Sequence, residues 1–272
     1  MRHAAQTVTV AGHFGEWVQG VLGPSGPVAL VTLPCPALTL RLSFQPAATL
    51  TLDAGTPPVI TEARFAEARA AFALPSEGAY RFTSALPPGG GAGASTAALV
   101  ALARLAGVAE DTLLRRCNAI EGATDPLTLA APDQHLWAPR TAKTLATLPA
   151  PPVFEIVGGF GPSPVWTKPD DQTFPDITDL LPAWRAACTA QDAEKTAKLA
   201  TQSARETSRL RGAPLPGCDD LMADLGALGW VRAHTGSAVG FLFAPETAPK
   251  IAHAALTEAG LTDPLTFTTG AR

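Results

Sequence analysis

The chain has 272 residues, 46% hydrophobic and 16% charged; this is enough for one large α/β domain or two modest ones with real cores, and it excludes bulk disorder. A net charge of −4, with five lysines and no run of Lys or Arg, leaves no electrostatic footprint for nucleic acid or an anionic membrane. Pro or Gly interrupts the longest apolar stretches before the ~20 residues of a membrane span, and Thr7, Val8, Thr9 and Val10 alternate like a strand rather than a signal peptide, so a cytoplasmic location is expected.

In chain order, residues 7–11, 28–33 and 37–43 read as strands separated by Gly and Pro, an antiparallel β-rich opening. A short strand at 49–53 leads to an Ala-, Glu- and Arg-rich segment at 61–72 that favours helix. Residues 80–86 return to strand and run into a glycine-rich stretch, which opens a long apolar helix over 95–106. A second helix covers 109–121, its start marked by Glu110, Asp111 and Thr112, and Thr124-Asp125-Pro126 breaks the pattern.

The chain is less legible beyond Pro132, with prolines at 149–152, a strand at 153–157 and an irregular connection over 158–175. Helices follow at 180–188, 190–211 and 218–228, then strands at 230–234 and 238–243, a helix at 247–259 and a strand at 265–269. That closing β–β–α–β run resembles half of a ferredoxin-like unit. No internal repeat is present. Cys35, Cys117, Cys188 and Cys218 lie far apart without a CxxC pair and read as buried thiols rather than as a zinc or disulfide framework.

The sharpest local feature is Pro87-Pro88-Gly89-Gly90-Gly91-Ala92-Gly93-Ala94-Ser95-Thr96. A phosphate chain needs backbone amides without side chains in the way, and a helix N-terminus adds the positive end of a dipole. Ser95 and Thr96 sit at the helix start, where one hydroxyl can cap the helix and another can contact a phosphate or its Mg²⁺. The run is neither a Walker A loop nor the dinucleotide fingerprint. A flexible glycine turn capped by Ser95 is the competing reading.

The same run resembles the Pro-x-x-x-Gly-Leu-Gly-Ser-Ser-Ala motif of GHMP kinases. Two further segments are similar to the L-threonine kinase branch of that family: Gly15-Glu16-Trp17-Val18-Gln19-Gly20 resembles its Gly-Glu-Leu-x-Gln-Gly, and Ala233-His234-Thr235-Gly236-Ser237-Ala238-Val239-Gly240 its Ala-His-Ser-Gly-Thr-x-x-Gly. The segments occur in family order. The resemblance implies an α+β, two-lobed GHMP-kinase-like fold. Its N-terminal lobe, residues 1–150, holds ATP in a left-handed β–α–β setting, and residues 151–272 form a ferredoxin-like α/β lobe. It also implies ATP and Mg²⁺ as cofactors and a small-molecule amino acid or alcohol as partner. Glu121-Gly122-Ala123-Thr124-Asp125 matches the branch's Glu-Pro-Thr-Asp with one extra residue. Ala94, Ala98 and His13-Phe14 depart from the pattern, the last replacing Ser-Cys.

On this resemblance Pro88, Gly89, Gly90, Gly91, Ala92, Gly93, Ala94, Ser95 and Thr96 bind the nucleotide, and Ser95 and Glu121 hold the metal. Glu121 otherwise reads as a solvated acid at a helix end. Asp125 orients or deprotonates the acceptor hydroxyl; the competing reading is a helix cap before Pro126. Glu16, Gln19, His234 and Gly236 are expected at the acceptor, against a polar turn, a structural histidine and a bulge as alternatives. Trp17 reads as a core or lid aromatic. The implied activity is transfer of a phosphoryl group from ATP to the hydroxyl of L-threonine. Another small alcohol as acceptor, a regulatory homologue that binds ATP without turnover, and a nicotinamide-dependent oxidoreductase are the alternatives.

Overall fold

A computed structural model describes residues 4–166 and 170–270. The irregular connection expected at 158–175 therefore lies partly outside the described residues. Two long strands, β1 (Gln6–Val21) and β2 (Val28–Gln45), form an antiparallel hairpin at the centre. The expected strands at 28–33 and 37–43 are one continuous strand. Likewise β1 runs well past residue 11 and absorbs the Gly15 to Gly20 segment, which the sequence places after the first strand. Residues 12–20 are all buried, so no period-2 alternation marks them as strand.

Next come β3 (Leu50–Asp53), α1 (Glu62–Ala71) and β4 (Gly78–Ser84), with β3 and β4 parallel. The Thr61 hydroxyl caps α1 by accepting from the Arg64 amide. The helices α2 (Ala94–Leu105) and α3 (Glu110–Glu121) pack on each other, and α2 also lies against β1 and β2. Residues 97–103 of α2 are fully buried, consistent with a helix apolar on every face. The poorly legible stretch holds a short hairpin, β5 (His135–Ala138) and β6 (Lys143–Thr147).

The remainder comprises β7 (Glu155–Phe160), α4 (Leu180–Thr189), α5 (Ala193–Arg211), α6 (Cys218–Asp224), β8 (Gly229–Arg232), β9 (Ala238–Phe243), α7 (Ala252–Glu258) and β10 (Thr262–Thr268). These strands stand in the order β10-β7-β9-β8. With the helices between β7 and β8 and between β9 and β10, that is a complete ferredoxin-like βαββαβ unit, of which the sequence shows only the second half. The sheet continues through β8 to β1, where Glu16 pairs with Arg232, and on through β2, β4 and β3.

Trp17 is core: its ring centroid lies 5.5 Å from Phe154 and 5.9 Å from Trp184. All four cysteines are free and buried. Among the described residues no helix is long and apolar enough to cross a membrane.

Candidate active site

Between β4 and α2 the chain turns through three left-handed glycines, Gly89, Gly91 and Gly93, with φ of 74°, 75° and 80°. Any Cβ at Gly91 would meet the Ala233 Cβ at 2.3 Å, and one at Gly93 would meet the His13 ring at 2.8 Å. Glycine is required on both counts. Hydrogen bonds pin the loop from several sides. The Gly90 carbonyl accepts the Ser237 and Ala238 amides at 3.0 and 2.9 Å, the Ala92 carbonyl accepts the His13 amide at 3.2 Å, and the Gly89 carbonyl accepts the Val165 amide at 2.9 Å. The glycines therefore form a fixed cradle, and the flexible-turn reading falls.

The cradle borders a cavity of about 590 Å³. Pro88, Gly89, Gly91, Ala92, Gly93, Ala94, Ser95 and Thr96 line it, and Gly90 does not, its carbonyl being spent on residues 237 and 238. Gly93 occupies the N-cap position of α2 and no side chain caps the helix. The expectation that Ser95 or Thr96 supplies a cap is thus corrected, because both hydroxyls are engaged elsewhere.

Their partner is Glu121, the last residue of α3. One carboxylate oxygen accepts the Ser95 hydroxyl at 2.8 Å, and the other accepts the Thr96 and Thr124 hydroxyls at 2.8 and 2.9 Å. This is no solvated helix-end acid. Burial pushes its carboxyl up to about 7, with Asp125 adding to the rise and the hydroxyls opposing it. Gly122, left-handed at φ 78°, ends α3 and returns the chain, so the extra residue in this segment does not keep Asp125 from Thr96. The Asp125 amide donates to the Thr96 hydroxyl at 3.2 Å, and the Thr96 hydroxyl lies 3.3 Å from Asp125 Oδ2.

No helix follows Asp125, so it caps nothing. Residues 127–130 form a turn. Burial raises the Asp125 carboxyl, but the neighbouring His13 outweighs it and the net shift is downward.

The remaining sequence candidates separate. Glu16 lines the cavity and is buried within β1, and burial pushes its carboxyl up to about 8. Gln19, three residues on, is fully buried outside the cavity lining: its side-chain amide donates to the Arg232 carbonyl at 3.1 Å and its backbone amide to Ser203 at 3.0 Å. It ties β1 to α5 and β8 and is not an acceptor contact. His234 lines the cavity, stacked on Phe174 with centroids 4.3 Å apart. Burial, with Arg211 and Arg232 nearby, pushes its imidazole down to about 3, so the ring is neutral. Gly236 faces the glycine loop rather than the cavity, for a Cβ there would lie 2.2 Å from the Gly91 nitrogen.

Two cavity residues go unnoticed in the sequence, where His13 is only a departure from the resemblance and Arg140 carries no motif. His13 is 3% exposed, with Nε2 3.4 Å from Asp125 Oδ2 and Nδ1 3.8 Å from Glu16 Oε1. Arg140 donates to the Asp171 carbonyl, and its guanidinium lies 5.9 Å from the Phe174 ring centroid. Ala98 is buried in α2 and absent from the lining, so the acid missing at that position is not missing from the cavity wall.

The donors beside the cradle suit Mg²⁺, a hard cation that takes one or two carboxylates plus hydroxyl, water and phosphate oxygens. Ser95, Thr96 and Glu121 are oxygen donors on the cavity wall.

No family model matches the sequence, and no curated protein is similar enough to match it. Solved structures do match the fold. Phosphomevalonate kinase of Streptococcus pneumoniae superposes with a TM-score of 0.68 at 10% identity, covering 98% of this chain and 99% of that one. Mevalonate kinase from methicillin-resistant Staphylococcus aureus gives 0.65 at 15% identity, covering 98% and 100%. Homoserine kinase from Cytophaga hutchinsonii gives 0.62 at 15% identity, covering 96% and 94%. The chain has the α+β fold of these kinases, the GHMP-kinase fold. Its sheet, antiparallel except at β3–β4, is not the parallel dinucleotide-binding sheet, which removes the fold basis for the nicotinamide reading.

Proposed function

We propose that the protein is an ATP-dependent small-molecule kinase of the GHMP type, with L-threonine as acceptor and O-phospho-L-threonine as product. Residues 1–150 form the nucleotide-binding lobe and residues 151–272 the second lobe. The observation that carries the reading is the gathering of Ser95, Thr96 and Thr124 on Glu121, with Asp125 alongside, at the head of the glycine cradle. Phosphoryl transfer needs positioning and charge neutralisation more than covalent chemistry; this arrangement offers a carboxylate to orient the acceptor and oxygen ligands for the Mg²⁺ that would neutralise the phosphates.

The phosphates lie along the loop amides and the α2 N-terminus. Pro58, Val59 and Ile60 give the cavity an apolar wall suited to a purine. Ser95 and Glu121 hold Mg²⁺, which when bound neutralises phosphate charge. Asp125 accepts the proton of the acceptor hydroxyl as that oxygen bonds to the γ-phosphorus and the bond to the bridging oxygen of ADP breaks. Glu16 and His234 border the acceptor.

The test is to incubate the protein with Mg²⁺-ATP and threonine, serine, homoserine and amino alcohols, following ADP and phosphorylated product. Threonine-dependent ADP with O-phosphothreonine supports the proposal. ATP binding without either product favours the regulatory reading, and turnover confined to another alcohol reassigns the acceptor.

A further inference from the structure

Three carboxylates, Glu16, Glu121 and Asp125, line one cavity. Like charges in a partly dry site oppose one another's ionisation, so an anionic Asp125 needs a cation. Among the described residues the side chain within ion-pair distance of Asp125 is His13. We propose that His13 is a positioning residue for phosphoryl transfer, its imidazolium holding the Asp125 carboxylate ionised and aimed at the acceptor hydroxyl. The proposal rests on the kinase reading above.

The backbone fixes where the ring sits. A register shift in the β1–β2 pairing between His13 and Glu16 is a local irregularity of the kind that re-aims side chains, and the His13 amide is tied to the Ala92 carbonyl in the glycine cradle. The ring packs against Gly93, where any Cβ would lie 2.8 Å from Cδ2. Position 93 must therefore be bare for His13 to reach Asp125. The head of the nucleotide loop and the placement of Asp125 are built as one unit.

A structural histidine in a core is neutral and has a hydrogen-bond partner for at least one ring nitrogen. Neither nitrogen of His13 makes a well-formed hydrogen bond to a neutral partner. Each instead faces a carboxyl group, the ionised Asp125 from the segment after α3 and Glu16 from its own strand. The other polar side chains at this spot are Thr96 on α2, bonded to Asp125, and the neutral His234 after β8. The Asp125 carboxylate beside one nitrogen, with the Glu16 carboxyl beside the other, describes an imidazolium site. Burial opposes the charge, but Asp125, then Glu16 and the Gly15 backbone, outweigh it and push the imidazole up to about 9. Asp125 Oδ2 lies between the Thr96 hydroxyl, at 3.3 Å, and His13 Nε2, at 3.4 Å.

The experiment compares kcat and KM against pH for the wild type, His13→Gln and His13→Lys. The Gln variant is expected to lose roughly 10- to 100-fold in kcat with the KM for ATP within about twofold. The acid limb of its kcat profile should move up by about one pH unit or more, because Asp125 loses its counter-charge. The Lys variant restores the acid limb. A Gln variant with wild-type kcat and acid limb overturns the proposal, and so does a Lys variant no better than Gln. Nitrogen NMR of the unmutated chain needs no variant to fold: two protonated ring nitrogens at neutral pH are expected, and a neutral ring overturns it. A wild-type chain with no turnover on any acceptor is the separate failure of the kinase reading.

Discussion

Gly91 and Gly236 meet backbone to backbone between the glycine cradle and the loop joining β8 to β9. A Cβ on Gly236, whose φ is 121°, would lie 2.2 Å from the Gly91 nitrogen and 2.4 Å from its Cα. With the two amides held by the Gly90 carbonyl, the contact makes the shape of the cradle depend on the β8–β9 loop. Gly236→Ala is expected to destabilise the protein by about 2–4 kcal/mol, from backbone overlap and an unfavourable φ together. Gly23→Ala, at φ 73° with nothing within 4 Å of its Cβ, is the control and should cost about 1 kcal/mol. Urea melts of the two variants separate the terms, and nucleotide titration should show weakened ATP binding only in the former.

Ser95→Ala removes one of three hydroxyls on Glu121 and a proposed metal ligand. The hydroxyl lies in an exposed setting, so the fold should lose no more than about 1 kcal/mol. Turnover should fall about 10-fold or more, with a higher Mg²⁺ requirement. Kinetics titrated with Mg²⁺ check this, and an unchanged Mg²⁺ dependence removes Ser95 from the metal site.

For Asp125→Asn the absence of a following helix takes away the stability loss that a cap would bring. The expected result is a kcat about 100- to 10,000-fold lower, with the thermal midpoint lowered only by what the His13 imidazolium loses with its counter-charge. Normal turnover in a less stable variant would reverse the assignment and make Asp125 structural.

What the sequence discloses divides along physical lines. Elements with a clear period or a sharp boundary, such as α2 behind its glycines and β9, stand where the pattern puts them, because burial on one face or all faces writes itself into composition. β1 does not. Residues 12–20 are buried throughout and carry three glycines, so the pattern ends the strand at residue 11. Asp125-Pro126 is a good local cap signal that tertiary contacts with Thr96 and His13 override. The pairing of His13 with Asp125 joins residues 112 positions apart, and no local pattern encodes it. Arg140 is similarly silent, since its meaning comes from Phe174, 34 positions away.

Glu16 supplies a pH prediction for stability. Burial raises its carboxyl from an ordinary 4.5 to about 8, so the folded chain holds a proton that the unfolded chain has already released. Stability from this group is present below pH 4.5 and is lost as pH rises toward 8. His13, raised from 6.5 to about 9, acts in the same direction over its own window. Glu16→Gln, which cannot ionise, should therefore have a thermal midpoint that falls less than wild type between about pH 5 and 8. Parallel curves would show that Glu16 is already ionised in the fold.

Arg140 is expected to discriminate among acceptors. Its guanidinium borders the same cavity as Asp125, held by the Asp171 carbonyl and by the face of Phe174, on which His234 also stacks. Arg211, 4.6 Å from the same ring, is paired with Asp171, whereas no carboxylate is paired with Arg140 among the described ion pairs. A guanidinium on the cavity wall with no paired carboxylate suits the carboxylate of an amino acid, and an amino alcohol offers it nothing. Arg140→Gln should raise the KM for threonine by about 10-fold or more while leaving the KM for ATP within about twofold. The carboxamide of threonine should be a poor acceptor for the wild type and should lose little further on substitution. Equal losses for acid and amide would show that Arg140 shapes the cavity without reading the carboxylate, and would return amino alcohols to the candidate acceptors.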